Sequence, residues 1–218
     1  MALPYADFSG GADHPYLLSP GQSLLLDWGR KRTGWLSFAG RGVLDYAAVS
    51  DLRLLDYCDQ TAVRQNSFAA ETFFASFVGP SPCGMIRLSS SLAMLDDTIF
   101  TFRYLRLRNT SCEPAVLEAV DFRSSEFPEE PVGFFECSDT TISRGWRMGI
   151  DTVRLCTQPG DQSNIPVYAP FGGGYVQWDG CRRDREVWGG DLRPGALAWY
   201  YNFADQSPIA NSLYLLMN

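Results

Sequence analysis

Residues 99–109, IFTFRYLRLRN, constrain the fold of this chain more than any other stretch. Phe100, Phe102 and Tyr104 alternate with Thr101 and Arg103, the two-residue period of a strand with one buried face. Leu105 and Leu107 then occupy the other parity. The slip predicts either a bulge or a strand whose two ends bury opposite faces.

Other runs extend this pattern through the first half. SLLLDWG (23–29) and GWLSFAG (34–40) read as strands, and RKRT between them suits a hairpin connection. AVLEAVDFRS (115–124) reads as the hairpin partner of 99–109 across the turn-like NTSCEP. Only AVRQNSFAAETFFASF (62–77) offers a short helix before residue 130. An antiparallel β-sandwich over 1–123 is the expectation.

At 124–133, SSEFPEEPVG, the composition turns to Pro, Glu and Ser, which reads as a linker. Beyond it the period becomes helical. Ser138 or Asp139 can cap a helix on which Ile142, Trp146, Ile150 and Val153 recur at helical spacing. A loop of about twenty residues with Pro159, Pro166, Pro170 and Gly172–Gly174 follows, and a loop that long is usually functional. Helices are expected over 193–204, with Pro194 at an early position, and over 207–218, with Ser207 as cap and Pro208 at its first position.

Charge narrows the partners. A net charge of −7 and a pI near 4.7 disfavour a surface that tracks phosphates or anionic membranes. No apolar run approaches the roughly 20 residues of a membrane span. The N-terminus lacks the basic start and apolar block of a secretory signal, so a cytoplasmic location is favoured. The six cysteines include no CxxC pair and the single histidine is His14, so neither a metal nor another cofactor is expected, and free thiols are. Asn109-Thr110-Ser111 matches a glycosylation sequon that matters only in a secreted chain. Aromatic residues make up 14% of the chain, a richness that suits a β core and also a cleft in which rings stack on sugars.

Chemistry concentrates in DGCRRDREVWGGD, residues 179–191. Asp179, Asp184, Glu186 and Asp191 supply carboxylates, Arg182, Arg183 and Arg185 can orient them, and Trp188 offers an aromatic wall. Glycosidic cleavage ordinarily needs two carboxyl groups across the bond, acceptors for the hydroxyls and a wall against water. The other reading is a solvated helix face, with Asp179–Arg183 and Arg182–Glu186 as i,i+4 pairs worth a few tenths of a kcal/mol each. Residue types leave both readings open.

The ordered pattern resembles the signature of the inverting α-L-rhamnosidases, DG-x-x-R-(D/E)-R-x-x-W-x-GD. Every fixed position is matched, by Asp179, Gly180, Arg183, Asp184, Arg185, Trp188, Gly190 and Asp191. Upstream, GFFECSDTTISRGWRMGIDTVRL (133–155) is similar to that family's entry into its catalytic domain, and FRYLRL (102–107) to the closing strand of its preceding sandwich. The resemblance is close from about residue 100 onward and loose before it.

It implies a β-sandwich over 1–123, a linker over 124–133, and over 134–218 the first helices of an incomplete (α/α)6 barrel of six helical hairpins. It further implies hydrolysis of terminal α-L-rhamnose in rhamnose-containing glycosides by single displacement with inversion. Asp184 falls on the acid, Asp179 and Asp191 on hydroxyl-binding positions, Arg183 on a sugar or carboxylate contact, and Trp188 on the pocket wall. The family's general base is a Glu far downstream, so the chain is expected to be incomplete and inactive by itself. Two other readings are a non-catalytic carbohydrate-binding β-sandwich with a helical tail, and a helical-barrel glycosidase or lyase for another sugar. The aglycone, the linkage and the oligomeric state leave no mark in the sequence.

Overall fold

The computed structural model describes residues 3–4, 15–55, 83–95, 99–162, 174–181 and 185–217. The chain divides into two compact units, 1–75 with 80–124, and 76–79 with 125–218. The first is rich in antiparallel sheet and the second carries three α-helices, the expected order of a β region followed by helices. The short helix considered over 62–77 lies outside the described residues. Among the described residues no helix is long and apolar enough to cross a membrane.

In the first unit, strands β1 (Leu3–Pro4), β2 (Tyr16–Leu18), β3 (Ser23–Val49), β4 (Cys83–Leu88), β5 (Ala93–Met94), β6 (Phe100–Arg108) and β7 (Ala115–Ser124) form one hydrogen-bonded sheet. Strand β3 organises it. Its first stretch pairs with β6 from Ser23–Arg108 to Gly34–Phe100, and its last pairs with β6 again from Asp45–Arg108 to Val49–Tyr104. Leu107 thus has Leu24 on one edge and Tyr46 on the other. The middle of β3, Gly34 to Arg41, pairs with β7.

This register corrects two expectations. Residues 23–29 and 34–40 do not form a hairpin through RKRT, because Asp27 and Arg32, on either side of the irregularity, both pair with β6. Nor is β7 the hairpin partner of β6, since both edges of β6 are already occupied by β3. The chain between them is held instead by Asn109, which is fully buried. Its Nδ2 donates to Leu18 O and Glu113 O, both at 2.8 Å, and its Oδ1 accepts from Ser111 N and Ser111 Oγ. The sequon asparagine is a structural clip with both amide hydrogens engaged.

The parity slip of β6 has a physical cause. While β6 runs from Tyr104 to Phe102, β3 runs from Asp27 to Arg32, with Gly29 at φ +74° in the bulge. Asp27 fastens it: Oδ1 accepts Gly29 N–H and Arg103 Nε at 2.8 Å each, and Oδ2 accepts Arg103 Nη2 at 3.0 Å. The irregularity lies in β3, and Phe100, Phe102, Leu105 and Leu107 of β6 all join one core. Leu26, Leu36, Phe38, Leu44 and Tyr46, from all three stretches of β3, join the same core, so the sheet folds over itself. Gly40 (φ +152°) lies where β3 crosses β7, and a Cβ there would stand 2.1 Å from the Val116 carbonyl oxygen. Phe102 sits at the centre of an edge-to-face group, 4.8 Å from Trp28 and 5.5 Å from Phe122 between ring centroids.

In the second unit, α1 (Thr140–Cys156) starts at Asp139, whose Oδ1 accepts Thr141 N at 2.8 Å and Ile142 N at 3.3 Å. Of its apolar stripe, Ile150 is buried and Trp146 and Val153 pack on the core, Trp146 also meeting Phe135 at 5.3 Å, whereas Ile142 is exposed. The expected loop after α1 begins and ends as strands β8 (Thr157–Pro159) and β9 (Tyr175–Gln177), paired antiparallel. Helix α2 (Gly189–Asn202) begins four residues before the expected start, which leaves Pro194 inside the helix without an N–H for the Gly190 carbonyl. Helix α3 (Ser207–Met217) has Asp205 in the capping role expected of Ser207, its Oδ1 accepting Ser207 N at 2.8 Å.

Phe127, Ile150, Val176, Trp178, Val187, Leu192, Trp199, Phe203 and Ile209 form the core of this unit. The Pro- and Glu-rich stretch 125–133 packs onto it. Phe127 meets Trp199 at 4.9 Å and its carbonyl accepts from buried Arg154 Nε at 3.1 Å, while Val132 N and Gly133 N both donate to Asn202 O. Arg154 also pairs with Glu130 at 3.1 Å and with buried Glu126 at 3.8 Å.

Three outcomes are expected. Phe102→Ala lowers unfolding free energy by about 3–5 kcal/mol in denaturant titration, through lost transfer energy and the cavity left behind. Arg154→Ala costs about 3–5 kcal/mol by the same measurement, because it breaks the buried ion pair with Glu126 and removes the donor to Phe127 O. The hydrogen bond from Arg103 holds the Asp27 carboxyl below the usual carboxylate range. Stabilisation by that pair is therefore complete above the range and lost as pH falls through the lowered value, so Asp27→Asn flattens the acid side of the stability profile.

Candidate functional site

The charged segment enters from β9. Thr157 pairs with Gln177 on the short hairpin, and the ladder continues as Trp178 N donates to Cys156 O at 2.9 Å. The outer edge of β9 is covered by α3. Asn211 Nδ2 donates to Tyr175 O at 2.9 Å, and Gln177 N donates to the buried Ser212 Oγ at 2.8 Å. An edge that would otherwise carry unpaired backbone groups is thus closed by two side chains of one helix.

Asp179 then ties the segment to itself. Its N–H donates to Glu186 O at 2.9 Å, and its Oδ1 accepts Glu186 N–H at 3.0 Å. The two residues bring the ends of the segment 179–186 together; Arg183 and Asp184 lie outside the described residues. Trp178 and Val187, flanking the tie, are buried in the core and fix it there. The Glu186 side chain is only 2% exposed. Arg185 has φ +52°, the left-handed region that costs a side-chain-bearing residue energy, and burial pushes its guanidinium pKa below the ordinary value. Non-glycine strain of this kind clusters where surrounding structure over-determines a loop.

Beyond Val187 the chain turns outward. Trp188 is 56% exposed and is the N-cap of α2, with no side-chain capping bond; its carbonyl accepts Leu192 N at 2.8 Å. Asp191 is exposed in the first turn, where a carboxylate complements the helix dipole. Asp179 and Trp188 therefore stand on the two sides of one loop, Asp179 half-buried and hydrogen-bonded, Trp188 open, with Asp191 one turn beyond. The i,i+4 salt-bridged helix considered from residue types does not describe 179–188, whose described residues are non-helical.

Gln158 and Gln177 complete the surroundings and were not marked by the sequence pattern. Gln158 is fully buried and its Nε2 donates to Leu155 O (2.8 Å) and Cys181 O (3.2 Å), holding the loop entrance against the end of α1. Gln177 presents its buried amide to α2 at Gly195, where a Cβ would lie 2.2 Å from Gln177 Oε1. A glutamine just after a helix, on a strand too short to show alternation, leaves no periodic signal.

No family model matches the chain, and no curated protein matches it in sequence. Among solved structures its fold is similar to that of a rhamnosidase from Klebsiella oxytoca with rhamnose bound, at 21% identity and a TM-score of 0.59, over 92% of this chain and 36% of that one. The chain thus spans about a third of the length of that neighbour. At this identity the likeness is one of fold, and the chain has a rhamnosidase-like fold: a sheet-rich region followed by helices.

Proposed function

We propose that this chain belongs to a glycoside hydrolase that removes terminal α-L-rhamnose by single displacement with inversion. One observation carries the reading: the complete acid-bearing motif occurs in a chain whose fold is similar to that of a rhamnosidase. In this reading 1–123 is the sandwich, 124–133 the linker, and 134–218 the opening of a six-hairpin barrel. Rhamnose-containing glycosides are the substrates.

Asp184 acts as general acid and protonates the departing glycosidic oxygen. Asp179 and Asp191 accept hydrogen bonds from rhamnose hydroxyls, and Arg183 steadies the sugar or a carboxylate. The exposed ring of Trp188 lies against the apolar face of the pyranose. Asp179 has a double duty, because its Oδ1 already accepts Glu186 N–H; substituting it alters the loop as well as the binding.

An inverting enzyme needs its base roughly 6.5–9.5 Å from the acid, with a water between base and sugar. Glu186 does not fit that role, being two residues from Asp184 and almost completely buried. The base is assigned to no residue of this chain, and negligible turnover is expected from the chain by itself.

The test uses the protein at its native length and a panel of aryl glycosides. Release of aryl alcohol from the α-L-rhamnoside, with the β-anomer of rhamnose as first product by NMR, is the expected outcome. Asp184→Asn lowers kcat by about 10²–10⁴-fold while rhamnose binding persists. A rate indifferent to Asp184→Asn with binding intact would instead identify a carbohydrate-binding module, and preference for another sugar would reassign the substrate.

A further inference from the structure

Cys156 is the last residue of α1 and Cys181 the third residue of the charged segment. The fold brings them together through three contacts. Trp178 N donates to Cys156 O at 2.9 Å, which sets the start of the segment beside the helix end. Gln158 Nε2 reaches Leu155 O and Cys181 O at once, so the backbones on either side are bridged by a single nitrogen. The Cys181 side chain lies in contact with the Cys156 thiol. Neither is in a disulfide, and Cys156 is buried and Cys181 half-buried.

We infer that Cys156 and Cys181 form a redox-active dithiol site that reacts with low-molecular-weight disulfides such as glutathione disulfide. The Cys181 thiolate, the more accessible sulfur, attacks one sulfur of the small disulfide, breaking its S–S bond and releasing one small thiol. Cys156 then loses its proton and its sulfur attacks Cys181 Sγ, expelling the second small thiol. Overall the two protein thiols are oxidised to one disulfide and the small disulfide is reduced to two thiols.

The order follows from the surroundings. Contact with Cys181, then burial, push the Cys156 thiol pKa up, so it stays protonated and does not react first. Cys83 is buried in the other unit, and Cys112 and Cys137 are solvent-accessible with no cysteine among their hydrogen-bond partners. The bond would fasten residue 181 covalently to the end of α1. This inference does not depend on the sugar chemistry.

The protein itself allows a direct test. Trypsin cuts after Arg154 and Arg182 with no Lys or Arg between, so both cysteines fall on one peptide, 155–182. The folded protein is incubated with glutathione disulfide, remaining thiols are alkylated, and the digest is weighed without reduction. The expected result is that peptide 155–182 takes up no alkylating agent and has lost two hydrogens, both changes reversed by dithiothreitol. Cys156→Ser is expected to leave a stable glutathione adduct on Cys181, and Cys181→Ser to leave Cys156 unmodified. A wild-type peptide carrying two alkyl groups, a persistent adduct on wild-type Cys181, or a link to any other cysteine would overturn the inference.

Discussion

Asp179 and Glu186 exchange two hydrogen bonds, and the second unit is arranged around that exchange. It terminates β9, closes the base of the charged loop and delivers Trp188 to the surface as α2 begins. Buried Trp178 and Val187 keep the tie from sliding, because moving Trp178 by one position either way would exchange a core side chain for a polar one. A carboxylate that might have been read as binding equipment alone is also a structural closure. Its neighbours on the helices serve the same end: Ser212 and Asn211 hold α3 to β9, and Gly195 lets α2 approach Gln177.

Legibility tracked the range of the interaction. The parity change in β6 was plain in the order of Phe102, Arg103, Tyr104 and Leu105, since alternation is local. The partner that explains it was not, because the bulge is in β3, and Arg103 meets Asp27 far away in sequence. Both expected hairpins failed for one reason: adjacent runs were assumed to pair, whereas β3 encloses β6 and leaves β7 to its middle stretch. Asp139 was readable as a cap because its carboxylate serves the next turn of its own helix. The start of α2 was not, since it opens on two glycines behind a tryptophan, residues with poor capping and helix-forming tendencies.

The site divides the same way. Its motif is contiguous and could be recognised from residue order, and the fold likeness to a rhamnosidase agrees in kind. Gln158 and Cys156, which hold the loop from the side of α1, are separated from it by the whole hairpin and carry no motif. Asn109 shows the converse. Its local pattern suggested a surface modification, and its burial assigns it to three backbone groups and one hydroxyl instead.

The double embrace of β6 by β3 also bears on how the first unit comes into being. As the chain leaves the ribosome, both arms of β3 are complete before any of 100–108 has been made. Until β6 arrives, each arm exposes an unsatisfied hydrogen-bonding edge, and the arms' nearest available partners are each other. Native topology therefore waits on a strand some fifty to eighty residues later, and closure of such long loops slows folding far more than it weakens the product. Assembly of this sheet is an insertion, in which a later strand must enter a slot already bounded on both sides.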